Sequence, residues 1–429
     1  MVAAICFAAT FFSTNFGTIP KLHKETLFAA FGVFLILCFL VPEYCHFYDM
    51  SCWATWIGII KEKGLGHCYE SDINYLPGHL YIFRFILFFQ SPEYIKTHLY
   101  FLKYFTIPFD VAGAVLVASL VRDKWVQIVL LLITGFNVAS LHNSMLWGQL
   151  DVVFSVFIFA SLIAAVRKKF LFAWLLYIIA LNFKFQSIII FPLLTIYSVY
   201  NITSIKDFKG VLKGLVVVVA LQVLILLPWI ASDSLKQIAR VLKELSGNYT
   251  YASLNASNIW YLLLPGNIRW VGDDNTWMGL EYKKLGLIMA GLSLFISLLP
   301  LIIQVLKKWM GRESAITTET LFGAGVLSVM CFFFFNTQMH ERYTFPAFLL
   351  VAAYCVYTGY WWNYLLFSIA YFLNNEAALR FFHLKHNASY FDFSFSAKIY
   401  LILMVSMVIS FYLRLNHKKT PSEAQSEYF

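Results

Sequence analysis

The chain has 429 residues, the length of two or three soluble domains, but 60% of it is hydrophobic and only 13% is charged. A soluble protein carries about a quarter charged residues, so most of this surface must face lipid, which excludes a soluble enzyme, a disordered chain, a coiled coil and a disulfide-stapled secreted fold. Its apolar runs are continuous rather than alternating, which argues against a β-barrel.

Runs able to cross roughly 30 Å of hydrocarbon need about 17–25 residues. In chain order they fall at 1–19, 25–42, 98–120, 125–141, 150–166, 170–183, 187–200, 210–230, 286–305, 318–336, 344–358, 361–374 and 397–413. Several are short and read as tilted or buried in a bundle. The expectation is an all-α integral membrane protein of about 12–13 transmembrane helices. Run 1–19 lacks the basic start and cleavage site of a signal peptide and reads as a helix.

Two shorter elements are expected inside the first outer loop. In 51–63, Trp53, Trp56, Ile57 and Ile60 form one helical face, as in a helix lying at a membrane interface. The stretch 79–90 is too short to span and should lie on the membrane or dip into it. Gly64 and Gly66 read as a helix stop and a turn, and Pro77 as a helix start.

The connectors alternate. Lys21 with Lys24, Arg122 with Lys124, Arg167-Lys168-Lys169, Lys206/Lys209/Lys213, Lys307-Lys308 with Arg312, and Arg414 with Lys418-Lys419 form short basic turns that mark the cytoplasmic face. Segments 43–97, 142–149, 231–285, 337–343 and 375–396 are richer in aromatic, amide and acidic residues and belong outside. The net charge of +9 therefore reports orientation, not a nucleic-acid partner. The expected organisation is an N-terminal helix and turn (1–24), a membrane module over 25–200, a second over 201–413, and a polar tail over 414–429. Seven cysteines show no metal-type spacing, and Cys45, Cys52 and Cys68 read as free thiols.

The polar clusters converge on the outer face. Asp49 follows His46-Phe47-Tyr48. Walled by aromatics, it should have raised proton affinity and suit general-base work, although Asp is also a favoured helix cap. Asp72 and Tyr75 are candidates for a polar ligand. Lys103 and Asp110 are charges within an apolar run, which are costly and usually functional. The turn His142–Asp151 contributes Gln149 and Asp151, and the next outer turn Lys184 and Gln186. In Met339-His340-Glu341-Arg342-Tyr343, Arg342 offers a fork of donors suited to phosphate. The loop Tyr249–Trp260, with Asn255, suits sugar binding. Sequons stand at Asn248, Asn255 and Asn387. No Walker A, G-x-G-x-x-G, H-E-x-x-H or G-x-S-x-G motif is present.

In this order, Tyr48-Asp49-Met50, Gly64-Leu65-Gly66, Tyr75-Leu76-Pro77-Gly78, Trp147-Gly148-Gln149-Leu150-Asp151, Lys184-Phe185-Gln186, Ser253-Leu254-Asn255-Ala256 and Met339-His340-Glu341-Arg342-Tyr343 resemble the bacterial GT-C membrane glycosyltransferases. Within that superfamily they are similar to mannosyltransferases related to the second-mannose enzyme of GPI-anchor synthesis. The resemblance covers about 40–350. It departs at Lys184-Phe185-Gln186, where the family often has Lys-Pro-Gln, and at Tyr75-Leu76-Pro77, where it usually has Tyr-Pro-Pro.

The resemblance implies a GT-C-like bundle with two juxtamembrane helices in the first outer loop, an outward-facing site, and inverting transfer of a hexose from a polyprenyl-phosphate sugar. Mannose is the family average. The implied acceptor is a glycolipid, a glycan or a protein of the cell envelope, and the implied location the bacterial cytoplasmic membrane. It further implies Asp49 as catalytic base. Beside it, Lys103, His340 and Arg342 are expected at the donor phosphate. Asp72, Tyr75, Asp110, Gln149, Asp151, Lys184, Gln186, Asn255 and Glu341 are expected around sugar or acceptor. No metal or cofactor is expected. The competing expectation is a polytopic transporter, or a lipid or polysaccharide flippase, which would more often show broken helices near the midplane.

Overall fold

The structure, a computed structural model, describes residues 22–244, 250–266, 268–382 and 392–416. The expected helix 1–19, Tyr249, the sequons at Asn248 and Asn387, and the tail from 417 lie outside these residues. The described chain is mostly helical, at 75%.

In order, the helices are α1 (Lys24–Phe39), α2 (Phe47–His67), α3 (Pro77–Ile86), α4 (Pro92–Thr97), α5 (Ile107–Ala118), α6 (Lys124–Gly135), α7 (Val138–Leu141), α8 (Asp151–Val166), α9 (Phe170–Phe183) and α10 (Phe191–Tyr200). Then follow α11 (Ile205–Ala231), α12 (Leu235–Glu244), α13 (Trp260–Leu263), α14 (Tyr282–Trp309), α15 (Thr318–Phe335), α16 (Ala347–Thr358), α17 (Trp362–Leu379) and α18 (Phe393–Asn416). One small hairpin, β1 (Thr276–Trp277) and β2 (Leu280–Glu281), precedes α14.

Each apolar run from 25–42 onward coincides with helix. Among the described residues six stretches are long and apolar enough to cross a membrane: Leu99–Ala118, Lys124–Trp147, Asp207–Ala231, Tyr282–Trp309, Thr318–Phe335 and Phe393–Leu415. Asp151–Val166, Phe170–Phe183, Phe185–Tyr200 and Ala347–Thr358 are apolar but shorter. These six suggest a multi-pass membrane protein.

Side chains at the turns explain where helices begin. Asp123 accepts hydrogen bonds from the amides of Trp125 and Val126, satisfying two N–H groups that the first turn of α6 leaves over. Asn137 does the same for Ala139 and Ser140 at α7. Ser204 and Asp207 form a capping box at α11. Pro77 occupies the first turn of α3, and α2 breaks at Gly64, as their residue types lead one to expect.

The core lies along α8 and α15, whose side chains are buried almost throughout. Helix α9 packs on α8, and α14 and α16 flank α15. Helix α11 is the opposite case: only 6% of its most apolar window is buried. It is tied on by a reciprocal amide pair, Asn182 with Gln222, at 2.7 and 3.2 Å. Where Pro228 interrupts its hydrogen-bond ladder, the Tyr81 hydroxyl donates to the Ile225 carbonyl at 2.7 Å.

One expectation changes. The Trp53–Ile60 stripe does not face lipid. Trp53, Trp56, Ile57 and Ile60 are all buried, and both indoles pack near Tyr75 and Phe83. Periodicity shows which face is apolar, but α3 is what covers it. The six described cysteines are free thiols.

Candidate functional site

Between α7 and α8 the chain winds through a π-helical turn, His142–Trp147. Such turns insert one residue per turn and re-aim their side chains, often at functional sites. This one sends side chains to four different carboxyl groups. His142 Nε2 lies 3.0 Å from Glu376 Oε2. Asn143 donates to Asp151 at 3.4 Å, Ser144 to Asp110 at 3.2 Å, and Trp147 Nε1 to Asp49 Oδ2 at 2.9 Å.

The turn closes when the Asn143 carbonyl accepts from the amides of Gly148 and Gln149. Gly148 has φ +91°, and a Cβ there would stand 2.7 Å from Met50 Sδ, so both its conformation and its packing require glycine. The reversal turns Gln149 back toward α2, where its amide donates to Asp49 Oδ2 at 2.6 Å.

Asp49 lies in the first turn of α2 and is not its cap, a place that His46 takes. His46 Nδ1 lies 3.2 Å from Asp49 Oδ2, and the His46 amide donates to the Trp147 carbonyl at 3.2 Å. All these side-chain contacts fall on Oδ2, and Oδ1 has no hydrogen-bond partner among the described residues. The side chain is 22% exposed. The expected raised proton affinity is not what the structure shows. Burial does push the carboxyl up, but the His46 contact, the Arg342 charge and the Trp147 hydrogen bond outweigh it and hold the group well below the usual carboxylate range. The aromatic wall does not merely exclude water: one of its rings is a donor.

A second group of charges surrounds Asp151 at the start of α8. Lys184 Nζ is 2.5 Å from Asp151 Oδ1, and Arg342 Nε is 3.6 Å from Oδ2, too long for a hydrogen bond. Arg342 Nη1 donates to Glu341 Oε1 at 2.6 Å. His340 Nδ1 stands 3.8 Å from Glu341 Oε2. The Arg342 guanidinium lies 5.4 Å from the Trp147 ring centroid, and Lys184 4.6 Å from that of Tyr343. Asp151 and Glu341 are almost fully buried. Burial raises Glu341, but the charges of Arg342 and His340 pull it down to about 2. Against its own burial, Arg342 is held well above its ordinary value by Glu341, Asp151 and Asp49.

Of the residues nominated from sequence, the structure brings together Asp49, Gln149, Asp151, Lys184, His340, Glu341 and Arg342. Gln186 joins them by donating to the Tyr343 carbonyl. Tyr75 stacks near Trp56 and His79, and its phenol is pushed up by burial while feeling Arg342, Asp49 and Asp151. Asn255 has φ +64° and pairs through its backbone with His340.

Three nominated residues are placed otherwise. Lys103 is fully buried, and its ammonium donates to the carbonyls of Pro42 and Tyr44, so it pins the segment that leads into α2. Among the described residues, the Asp110 side chain accepts a hydrogen bond from Ser144 alone. Asp72 is exposed and meets Trp56 through its backbone.

Sequence reasoning did not nominate His46, Asn143, Trp147, Asn374 or Glu376. Trp147 stands in the same short motif as Gln149 and Asp151. Asn374-Asn375-Glu376 is a polar run inside an apolar helix, which is itself a signal. Asn374 donates to the Asn255 carbonyl at 2.9 Å and accepts from the Ser257 amide at 2.5 Å. Among the described residues no group of three or more His, Cys, Asp or Glu side chains is placed to hold a metal ion.

No protein-family model matches this chain, and no curated protein matches it.

Proposed function

We propose that the protein is a membrane glycosyltransferase of GT-C-like architecture. It would invert the anomeric carbon as it moves a hexose, mannose first among candidates, from a polyprenyl-phosphate donor to an extracytoplasmic hydroxyl. The observation that carries this reading is Asp49. Its carboxylate is gripped on one oxygen by Trp147 and Gln149, has no hydrogen-bond partner on its other oxygen among the described residues, and feels the charges of His46 and Arg342. A base and a cation held apart in one polar cluster are the two poles that displacement of a phosphate requires.

In the proposed step the acceptor oxygen bonds to the anomeric carbon as the bond from that carbon to the phosphate oxygen breaks. The bonding pair leaves with the phosphate, and the acceptor proton passes to Asp49 Oδ1. A carboxylate of low proton affinity suffices, because the attacking hydroxyl becomes strongly acidic once it bonds to an electron-poor carbon. Arg342 and Lys184 would stabilise charge developing on the leaving phosphate. Among the described residues the buried Arg342 Nε–H has no hydrogen-bond partner. His340 adds to the same side.

A lipid-linked donor brings its own leaving group and needs no nucleotide pocket. An apolar groove of about 590 Å³, lined by Tyr81, Leu224, Ile225, Leu227, Pro228 and Ala231, suits an aliphatic chain. The alternation of basic connectors supports an extracytoplasmic site, and the membrane in this reading is the bacterial cytoplasmic one.

The test supplies the protein, reconstituted in lipid, with polyprenyl-phosphate mannose and a panel of glycolipid, glycan and peptide acceptors. A mannosylated product with inverted anomeric configuration supports the reading. Lipid translocation or solute uptake by the same preparation, without any product, replaces it with the flippase or transporter.

A further inference from the structure

The hairpin before α14 carries an apolar tip that no described residue covers. Its strands pair antiparallel, Thr276 with Glu281 and Trp277 with Leu280, so the turn is Met278-Gly279. Both residues have positive φ, 51° and 81°, as a two-residue hairpin turn of matching twist requires. Gly279 suits that conformation. Met278 does not: a side chain in the left-handed region is strained, and asparagine, aspartate or glycine is the usual occupant. Met278 is nevertheless 86% exposed, and Trp277 54%. A strained position is thus occupied by a large apolar side chain that points away from the fold.

Two further observations say what covers it. The second strand runs without a break into α14 at Tyr282, the start of a stretch apolar and long enough to cross a membrane. The tip therefore stands within a few residues of the point where the chain enters hydrocarbon. Trp270, in the preceding turn, is also largely exposed, and Lys283 and Lys284 follow at the head of the helix. Tryptophan with flanking lysine is the composition of a lipid interface.

We propose that the hairpin is a membrane anchor, which seats Trp277 and Met278 at the boundary between headgroups and acyl chains of the outer leaflet. The partner is the phospholipid bilayer. The anchor is wired to the candidate site. Asp273, three residues before β1, accepts hydrogen bonds from Gln338 at 2.7 Å and Thr337 at 3.3 Å, immediately ahead of His340-Glu341-Arg342. The Asp273 carbonyl in turn accepts from the Lys283 amide at 2.9 Å. The depth of the hairpin therefore fixes the height of Arg342 relative to the bilayer.

The test uses full-length protein in nanodiscs of phosphatidylethanolamine and phosphatidylglycerol, doped with lipid brominated either near the glycerol end of the chain or near its middle. The difference in fluorescence between wild type and Trp277→Phe isolates one indole among the others. The expected difference spectrum is blue-shifted and is quenched more by the shallow bromines than by the deep ones. Met278→Asn, which suits the turn, should keep or raise thermal stability while the shallow quenching of Trp277 falls. A red-shifted Trp277 signal that neither lipid quenches would overturn the proposal. So would a Trp277 that cross-links to a second copy of the chain and is shielded from lipid.

Discussion

The two carboxylates at the heart of the site, Asp49 and Asp151, are held in opposite ways. Asp49 is partly exposed and is gripped on a single oxygen by an indole and an amide, with the His46 ring beside the same oxygen. Asp151 is buried, and its two oxygens face Lys184 and Arg342. Neutral donors fix a carboxylate's position while leaving its charge and one lone-pair face for a reactant. Ion pairs consume the charge and fix the cations instead. On this reading Asp49 is kept for chemistry, and Asp151 keeps Lys184 and Arg342 in place.

The comparison can be broken first by removing each charge in turn. Asp49→Asn should lower transfer by about 10²–10⁴-fold, the range of a lost general base, with thermal unfolding close to wild type. Asp151→Asn should do the reverse in emphasis: it leaves Lys184 without its carboxylate and Arg342 with Glu341 alone, seen as a larger fall in unfolding temperature than Asp49→Asn gives. Replacing Lys184 and Asp151 together by Met and Leu should recover much of that stability while transfer stays low. Equal losses of stability in the two single variants would erase the distinction.

Trp147→Phe sharpens it. The variant keeps the ring under Arg342 but withdraws one donor from Asp49, a hydrogen bond to a charge worth ~1.5–3 kcal/mol. The acid limb of the rate profile should move to higher pH, because Asp49 loses part of what holds its proton affinity down. An unmoved limb would mean that the indole does not tune the carboxylate.

A smaller effect concerns Glu341. Its carboxyl falls from an ordinary 4.5 to about 2 in the folded chain. A depressed group contributes stability that is complete above its unfolded value and fades as pH drops through the folded one. Unfolding temperature should therefore decline between pH 4.5 and 2, and decline less in Glu341→Gln. The same slope in both proteins would assign the acid sensitivity elsewhere.

The helices were legible because hydropathy and length are local properties: the runs around α5, α8, α14 and α15 needed no tertiary knowledge. The site was legible where polar residues interrupt apolar sequence, as at Gln149, Asp151, Lys184 and Arg342. What the sequence did not carry was direction. The Trp53–Ile60 stripe looks identical whether lipid or α3 covers it. Lys103 looks like a phosphate ligand until the carbonyls of Pro42 and Tyr44 are seen to take its protons. The proton affinity of Asp49 was misread in sign because the His46 ring, the Arg342 charge and the Trp147 indole, the last brought round by a π-turn, together outweigh burial. That turn has no local sequence signature. The polar run in α17 was passed over, because its partners His142 and Asn255 lie more than a hundred residues away.

The most direct test of the account is chemical rescue at Asp49. Transfer from polyprenyl-phosphate mannose would be measured with Asp49→Ala, in the presence and absence of formate as a small replacement carboxylate. The account predicts loss of transfer in the variant and partial return with formate, at an unfolding temperature that formate does not change. Full transfer by Asp49→Ala without formate would contradict it.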